Sequence, residues 1–208
     1  MNNKATTTEA DDVERQDDCR SVSNALLSGI RITREWGMPT ADTFDCPPIE
    51  TFVRKYLQES QRSVDPFARN KRWATVTNDL NPDTTADHHE DAAVFLRGLA
   101  NRNERFDLAI FDPPYSPRQI KECYDGIGKK MEQMDAFRTH WKPERDAIID
   151  LLDVGGVVLS FGWNSNGMGR KRMFKIEELL IVAHGMGHND TICMAERKLA
   201  HQGRLFAR

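Results

Sequence analysis

Cysteine is scarce in this chain of 208 residues: four are present, Cys19, Cys46, Cys123 and Cys193. None falls in a Cys-x-x-Cys spacing, which argues against a zinc site and against a disulfide framework. A cytoplasmic chain with reduced thiols is the expectation. No run of apolar residues is long enough to cross a membrane. A basic excess is missing as well, since 29 Lys and Arg stand against 32 Asp and Glu for a net charge of −3. Any surface that binds nucleic acid must therefore be a local patch. The first twenty residues carry Glu9, Asp11, Asp12, Glu14, Asp17 and Asp18 with few bases, and no apolar stretch that would serve as a signal peptide. Residues 1–20 read as a disordered acidic tail and 21–208 as a single domain, long enough to bury a core.

What is present is an alternation of helical and strand patterns. Residues 21–46 read as irregular, anchored by Trp36-Gly37-Met38-Pro39 and Thr43-Phe44. Pro47-Pro48 opens a helix whose apolar positions Ile49, Phe52, Val53, Tyr56 and Leu57 recur at i, i+3, i+4, i+7 and i+8. Short strands are expected at 63–67 and 74–77, the second closing at Asn78-Asp79. A helical stripe follows from Asp91 to Leu99. Leu108–Phe111 is a continuous apolar run of the kind found in the buried middle of a parallel sheet. After a polar segment at 116–141, a helix near 143–152 is expected to stop at Gly155-Gly156. A buried strand at 157–161 comes next, and 179–183 with 191–195 flank a Gly-rich turn as a hairpin. The pattern implies a doubly wound, mostly parallel α/β sheet with a C-terminal antiparallel hairpin. Ligands of such sheets bind at the carboxyl ends of the strands, where Asp65, Asp79, Asp112 and Trp163 all fall.

The most informative residues are Asp112-Pro113-Pro114-Tyr115, set directly behind the apolar strand. The Asp112 carboxylate and the Pro113 carbonyl can both accept hydrogen bonds from an exocyclic –NH2 group. The two prolines have no N–H and a fixed φ, so they present bare carbonyls on a stiff turn. Tyr115 offers an aromatic face for a base, an interaction worth about 1–3 kcal/mol. Amino nitrogens of adenine and cytosine are poor nucleophiles, and two acceptors pulling on their N–H bonds turn the lone pair toward an electrophile. The expected chemistry is amino-methyl transfer, with S-adenosylmethionine as the donor. An isolated Asp-Pro-Pro-Tyr would also serve as a plain strand-terminating turn.

In its order of motifs the chain resembles the amino-methyltransferase superfamily acting on DNA. More narrowly it is similar to the small adenine-specific DNA methyltransferases of phages and prophages. The stretches that carry this are 34–39, Thr43-Phe44, 65–70, 78–82, 112–118, 161–167 and 184–191, within roughly residues 34–198. The resemblance implies a Rossmann-like methyltransferase sheet of the seven-stranded type and catalytic roles for Asp112, Pro113, Pro114 and Tyr115. It also implies that Asp65 and Phe67 line the cofactor, that Asp79 receives its ribose hydroxyls, and that Thr43 and Phe44 close the pocket. Asp91 or a neighbour would meet the adenine amine of the cofactor; an N-cap role explains Asp91 equally well. The turn after the first parallel strand lacks the superfamily's usual glycines. Glycines permit close backbone approach, so the cofactor geometry here must differ or rely on Asn70, whose side chain tolerates a left-handed backbone.

The implied reaction is direct transfer to N6 of adenine in DNA, the target nucleotide flipped out or already single-stranded. Trp163, Asn164 and His188 are candidates for holding the base. Arg170, Lys171 and Arg172 form the dense basic cluster and are candidates for phosphate contact. His184 and His188 are four apart, but Gly185 and Gly187 between them make a turn, so no metal is expected. Other readings are an amino group in RNA, cytosine N4, and a non-catalytic nucleic-acid-binding module that keeps the fold. A monomer is expected.

Overall fold

A computed structural model describes residues 29–128, 141–168, 172–185 and 187–200. Contacts divide the chain into Met1–Arg31 and Ile32–Arg208. Of the first unit only residues 29–31 are described, and the expected acidic tail at 1–20 lies outside the described residues. The second unit is built on one sheet of seven strands in the order β1-β6-β7-β5-β4-β2-β3. These are β1 (Arg31–Trp36), β2 (Ser63–Asp65), β3 (Val76–Thr77), β4 (Phe106–Phe111), β5 (Leu152–Gly162), β6 (Phe174–Ala183) and β7 (Thr191–Lys198). β3, β2, β4 and β5 run parallel. β7 pairs antiparallel with both β5 and β6, so the C-terminal hairpin is present.

Helices cover both faces, which makes the sheet doubly wound. On one face lies α1 (Pro47–Glu59), with its prolines at the first positions and Ile49, Phe52, Val53 and Tyr56 buried. It packs with Leu108, Ile110, Val157 and Leu159. The other face packs α2 (Ala92–Asn101) and α4 (Lys142–Leu151) against Ala109, Phe111 and Val158. Successive residues of a strand point to opposite faces, so β4 needs apolar side chains on both, and its unbroken run Leu108–Phe111 follows. α3 (Pro117–Gly126) begins with Ser116 as N-cap and buries Ile120. One polar contact ties α1 to the hairpin: the buried Glu178 carboxylate of β6 accepts the Tyr56 hydroxyl at 2.7 Å and pairs with Lys55.

Two expectations are corrected. Residues 31–36 are not irregular but form the edge strand β1, all six residues exposed. Gly155-Gly156 do not stop a helix. α4 ends at Leu151, β5 begins at Leu152, and both glycines lie inside the strand. Gly155 has a φ of +87°, and a Cβ on Gly156 would fall 2.8 Å from Leu152 Cγ, 3.0 Å from the Asp153 carbonyl and 3.1 Å from the Asp107 carbonyl. These glycines permit the bulged approach of β5 to β4. The polar segment 116–141 holds α3, and residues 129–140 lie outside the described residues.

β2 connects outward to β3, and the chain then returns through α2 to β4 on its other side. The β2/β4 gap is thus the topological switch point, the place where open α/β sheets bind ligands. Asp65 ends β2, and Asp112 follows β4 directly.

Gly156→Ala lowers stability by about 1–3 kcal/mol, because two of the atoms it meets are backbone carbonyls that cannot step aside. Gly126→Ala, with nothing within 4 Å of the added carbon, is neutral or stabilising by up to about 1 kcal/mol. Urea unfolding of the two variants beside the parent checks this, and equal midpoints would contradict the close approach.

Candidate active site

At the end of β4 stands Asp112, half-buried. Burial pushes its carboxyl up to about 6, against hydrogen bonds from Tyr115 and Thr43 that pull it down. The Tyr115 hydroxyl donates to Asp112 Oδ1. Burial, and then the Asp112 charge, hold the Tyr115 phenol well above its usual range. The Tyr115 backbone N–H donates to Gln119 Oε1 at 2.6 Å, and the tyrosine ring meets Trp163 edge to face at 5.7 Å and 67°. Pro114 is not left bare: its carbonyl accepts the indole N–H of Trp141 at 3.3 Å. Among the described residues, the turn, loop and cap hydrogen bonds include none to the Pro113 carbonyl.

Across the switch point Asp65 is 1% exposed. Burial raises its carboxyl well above the ordinary value, the Phe67 amide hydrogen bond lowers it, and Asp112 and Asp79 raise it further. Its Oδ1 accepts the Phe67 N–H at 2.9 Å. Phe67 stands edge-on to Phe111 at 5.8 Å and to Trp141 at 5.3 Å. Beside β3, the Asp79 carboxylate accepts the backbone N–H groups of Arg69 at 3.0 Å and Asn81 at 2.8 Å. Asn78, fully buried, donates to the carbonyls of Pro66 at 3.2 Å and Glu90 at 3.0 Å. It thereby locks the turn after β2 to the loop before α2.

A cavity of about 580 Å³ joins these parts. Of the residues singled out from the sequence, Asp112, Pro113, Pro114 and Tyr115 line it together, with Trp163 and His188 beside them. Thr43, Phe67, Asp79 and Asp91 line it as well. Asp91 also caps α2, its Oδ1 accepting from Ala93 N at 3.0 Å and Val94 N at 3.3 Å. Asp65 lies beneath the lining.

Several assignments are corrected. Phe44 is a core residue, 3% exposed, stacked on Trp73 at 5.6 Å and edge-on to Phe161 at 5.1 Å. The left-handed residue of the first turn is Arg69, with a φ of +49°, and not Asn70. Arg69 is held there by the Asp79 carboxylate on its N–H and by its guanidinium on the Ala41 carbonyl at 2.8 Å. Asn70 Oδ1 instead accepts Thr85 N–H at 3.1 Å, outside the cavity lining. Asn164 is exposed and turns back onto Asn166 N–H at 3.0 Å. Arg172 pairs with Asp146 of α4 at 3.1 Å and reaches the Met168 carbonyl at 3.3 Å, away from the lining. Arg170 and Lys171 lie outside the described residues.

Sequence reasoning missed three contributors. Trp141 has a φ of +44°, a left-handed backbone rare for an aromatic residue. Gln119 fixes the Tyr115 amide. His184, 6% exposed, bridges the Gly37 carbonyl (2.6 Å from Nδ1) and Thr191 Oγ1 (2.8 Å from Nε2). A carbonyl only accepts, so Nδ1 carries the proton and Nε2 accepts from the Thr191 hydroxyl. Both ring nitrogens are thus committed to joining the end of β1 to the start of β7. Among the described residues no group of three or more His, Cys, Asp or Glu side chains converges on a point.

No protein-family profile matches the chain, and no curated protein matches it. Solved structures do share features of its backbone. One is a Burkholderia thailandensis 1,6-didemethyltoxoflavin-N1-methyltransferase with 1,6-didemethyltoxoflavin and S-adenosylhomocysteine bound. It has 14% identity and a TM-score of 0.49, over 96% of this chain and 93% of that one. A second is TrmN from Thermus thermophilus, at 15% identity and a TM-score of 0.47, over 74% of this chain and 49% of that one. A third is a SAM-dependent methyltransferase from Agrobacterium tumefaciens, at 12% identity and a TM-score of 0.46, over 72% of this chain and 60% of that one. The chain spans about half the length of the first solved structures it matches. With identities this low and TM-scores below 0.5, the fold assignment rests on the strand order and register of this chain.

The raised carboxyl of Asp112 has a consequence for stability. With a folded value of about 6 against 3.8 for a free carboxyl, the folded chain binds this proton more tightly than the unfolded one. Its contribution to stability therefore falls as pH rises from about 4 to about 6. Asp112→Asn removes that contribution: the variant exceeds the parent by about 3 kcal/mol at pH 7, and the difference shrinks to under about 1 kcal/mol at pH 4. Urea unfolding at pH 4, 5.5 and 7 checks it; a difference that does not vary with pH would rule out a proton-binding Asp112.

Proposed function

We propose that this cavity transfers a methyl group from S-adenosylmethionine to the N6 amine of adenine in DNA. The observation that carries the reading is the arrangement of Asp112–Tyr115 at the switch point, lining a cavity that Asp79 also lines. A volume of about 580 Å³ lies within the usual range of roughly 300–1,000 Å³ for ligand pockets. The donor set suits the cofactor: a carboxylate beside β3 for a ribose diol, the Phe67 ring for an apolar wall, and the Asp91 side of the pocket for an adenine amine. The Arg69 turn does without glycine, because its left-handed backbone already aims an N–H at Asp79. When bound, S-adenosylmethionine supplies an electrophilic methyl on a cationic sulfur and leaves as a neutral thioether.

The chain's own residues orient and deprotonate the amine. An ionised carboxylate has about four acceptor positions. Asp112 can therefore keep the Tyr115 hydroxyl on Oδ1 and still accept one amine N–H, while the Pro113 carbonyl accepts the other. Held so, the nitrogen presents its lone pair away from both acceptors. Alignment of two bound reactants is worth up to roughly 7–11 kcal/mol. Once the N–CH3 bond forms, the nitrogen carries one proton too many. Asp112, with a carboxyl near 6, is suited to take it at neutral pH, and no covalent enzyme intermediate is required. Tyr115 and the 43% exposed Trp163 offer the base two aromatic surfaces, so the target nucleotide enters flipped out or single-stranded.

The same reading makes residues 21–208 one catalytic domain, acting as a monomer in the cytoplasm. Free, buried Cys46 and Cys193 fit a reducing compartment.

DNA from a methylation-deficient host expressing the chain is expected to carry N6-methyladenine in a short sequence context, read by modification-sensitive sequencing. Asp112→Ala abolishes the mark. Unmodified DNA from soluble parent protein that binds the cofactor would overturn the DNA reading and favour RNA, and a mark on cytosine N4 would overturn the choice of base.

A further inference from the structure

The two prolines that make the Asp112–Tyr115 turn stiff also deprive it of two backbone donors. Within the turn, Tyr115 anchors one amide to Gln119, but the rotation of the Pro113 and Pro114 carbonyls must be set from outside. The group that reaches in is the indole N–H of Trp141, which donates to the Pro114 carbonyl at 3.3 Å. An indole N–H donates and never accepts, so it engages the oxygen of the turn's peptide group and not an N–H. With Pro114 engaged, Pro113 is the carbonyl left to face an amine.

The same ring has a second contact. Its face and edge meet Phe67 at 5.3 Å and 75°, and Phe67 in turn meets Phe111 of β4 at 5.8 Å and 69°. Trp141 therefore touches the turn after β4 and the turn after β2 at once, from the N-cap position of α4. That position favours Ser, Thr, Asp or Asn, and its left-handed backbone, φ +44° and ψ +39°, favours Gly. Trp141 makes no side-chain cap bond and is 8% exposed on the cavity lining. Local preference argues against tryptophan here, and what the side chain does supply is the two contacts.

We propose that Trp141 is a positioning residue: it sets the rotation of the Asp112–Tyr115 turn so that the Pro113 carbonyl faces the target amine, and it fixes Phe67 as the wall of the cofactor side. The inference rests on the amino-methyl-transfer reading of the cavity and extends it to a residue that touches no reacting atom.

Two variants of the full chain separate the contacts. Trp141→Phe keeps an aromatic ring against Phe67 and removes the N–H. It is expected to lower kcat about 10–100-fold, the scale of a misplaced reacting group, with KM for DNA and Kd for S-adenosylmethionine within about threefold of the parent. Trp141→Leu removes both contacts and is expected to lower kcat at least as far while also weakening S-adenosylmethionine binding about tenfold. Circular dichroism and the folded fraction are measured for each. Parent-like kcat per folded molecule in Trp141→Phe overturns the proposal, as does a loss of cofactor binding equal in the two variants, since a merely structural tryptophan would not divide its effects this way. If the parent methylates no nucleic acid, the functional reading fails; cofactor titration still decides the Phe67 role, with weakening in Trp141→Leu alone supporting it and equal affinities overturning it. A parent that binds no S-adenosylmethionine overturns both.

Discussion

A half-buried carboxylate at the end of β4 is the constraint around which the site is arranged. Removing a charge from water is costly unless donors replace the lost hydration. Asp112 meets this with the Tyr115 and Thr43 hydroxyls, and each donor brings its own loop into place. Tyr115 is carried by the turn that leads into α3. Thr43 belongs to a 3-10 turn at Thr43–Asp45, whose N-cap Asp42 accepts the Phe44 N–H at 3.2 Å. The chain just before it is held by the Arg69 guanidinium on Ala41. The influence of the charge extends into the core as well: burial raises the Cys193 thiol well above its usual range, and the Asp112 charge adds to that. Asp65, on the neighbouring parallel strand, is raised for the same two reasons.

The elements that set this frame were legible because burial on one or both faces leaves a periodic trace. The α1 stripe, the α2 stripe from Ala92 to Leu99, the double-faced β4 run and the C-terminal hairpin all appear where their apolar patterns put them. The site was legible in its backbone-determined part: Asp112–Tyr115, Asp79 and Trp163 needed only to lie at strand ends. What escaped was decided by contacts far along the chain. Asn70 has the higher intrinsic tolerance for a left-handed backbone, but Arg69 adopts it because the Asp79 carboxylate captures its amide. Thr43 and Phe44 are neighbours in sequence and diverge in space, one facing the cavity and the other the Phe161 side of the core. Trp141 follows an uninformative polar segment, and its partner carbonyl lies 27 positions away. Gly155-Gly156 carried a turn signal, and the approach of β5 to β4 used it inside a strand.

Direction matters in the polar contacts that close the two halves of the sheet around the cavity. The Thr191 hydroxyl donates to His184, and His184 donates to Gly37, so the chain before the 3-10 turn is tied to the hairpin through a ring with no nitrogen to spare. Behind β3 the buried Asn78 carboxamide is engaged on both its oxygen and its nitrogen, accepting the Glu90 N–H at 3.0 Å as well as donating to two carbonyls. With these side chains committed to holding walls, Asp112 combines a lining position, an intermediate proton affinity and acceptor capacity left over.

The two borders of the sheet bear on how the chain behaves at high concentration. An uncovered border strand is a template on which another chain can add, and proteins blunt it by shortening the strand or charging it. Here β3 has only two residues, too few to seed a ladder. β1 is longer and wholly exposed, yet Arg31, Arg34 and Glu35 interrupt its apolar Ile32 and Trp36, as gatekeeper charges do in aggregation-resistant sequences. Length protects one side and charge the other, so neutralising Arg34 and Glu35 would remove the protection from β1.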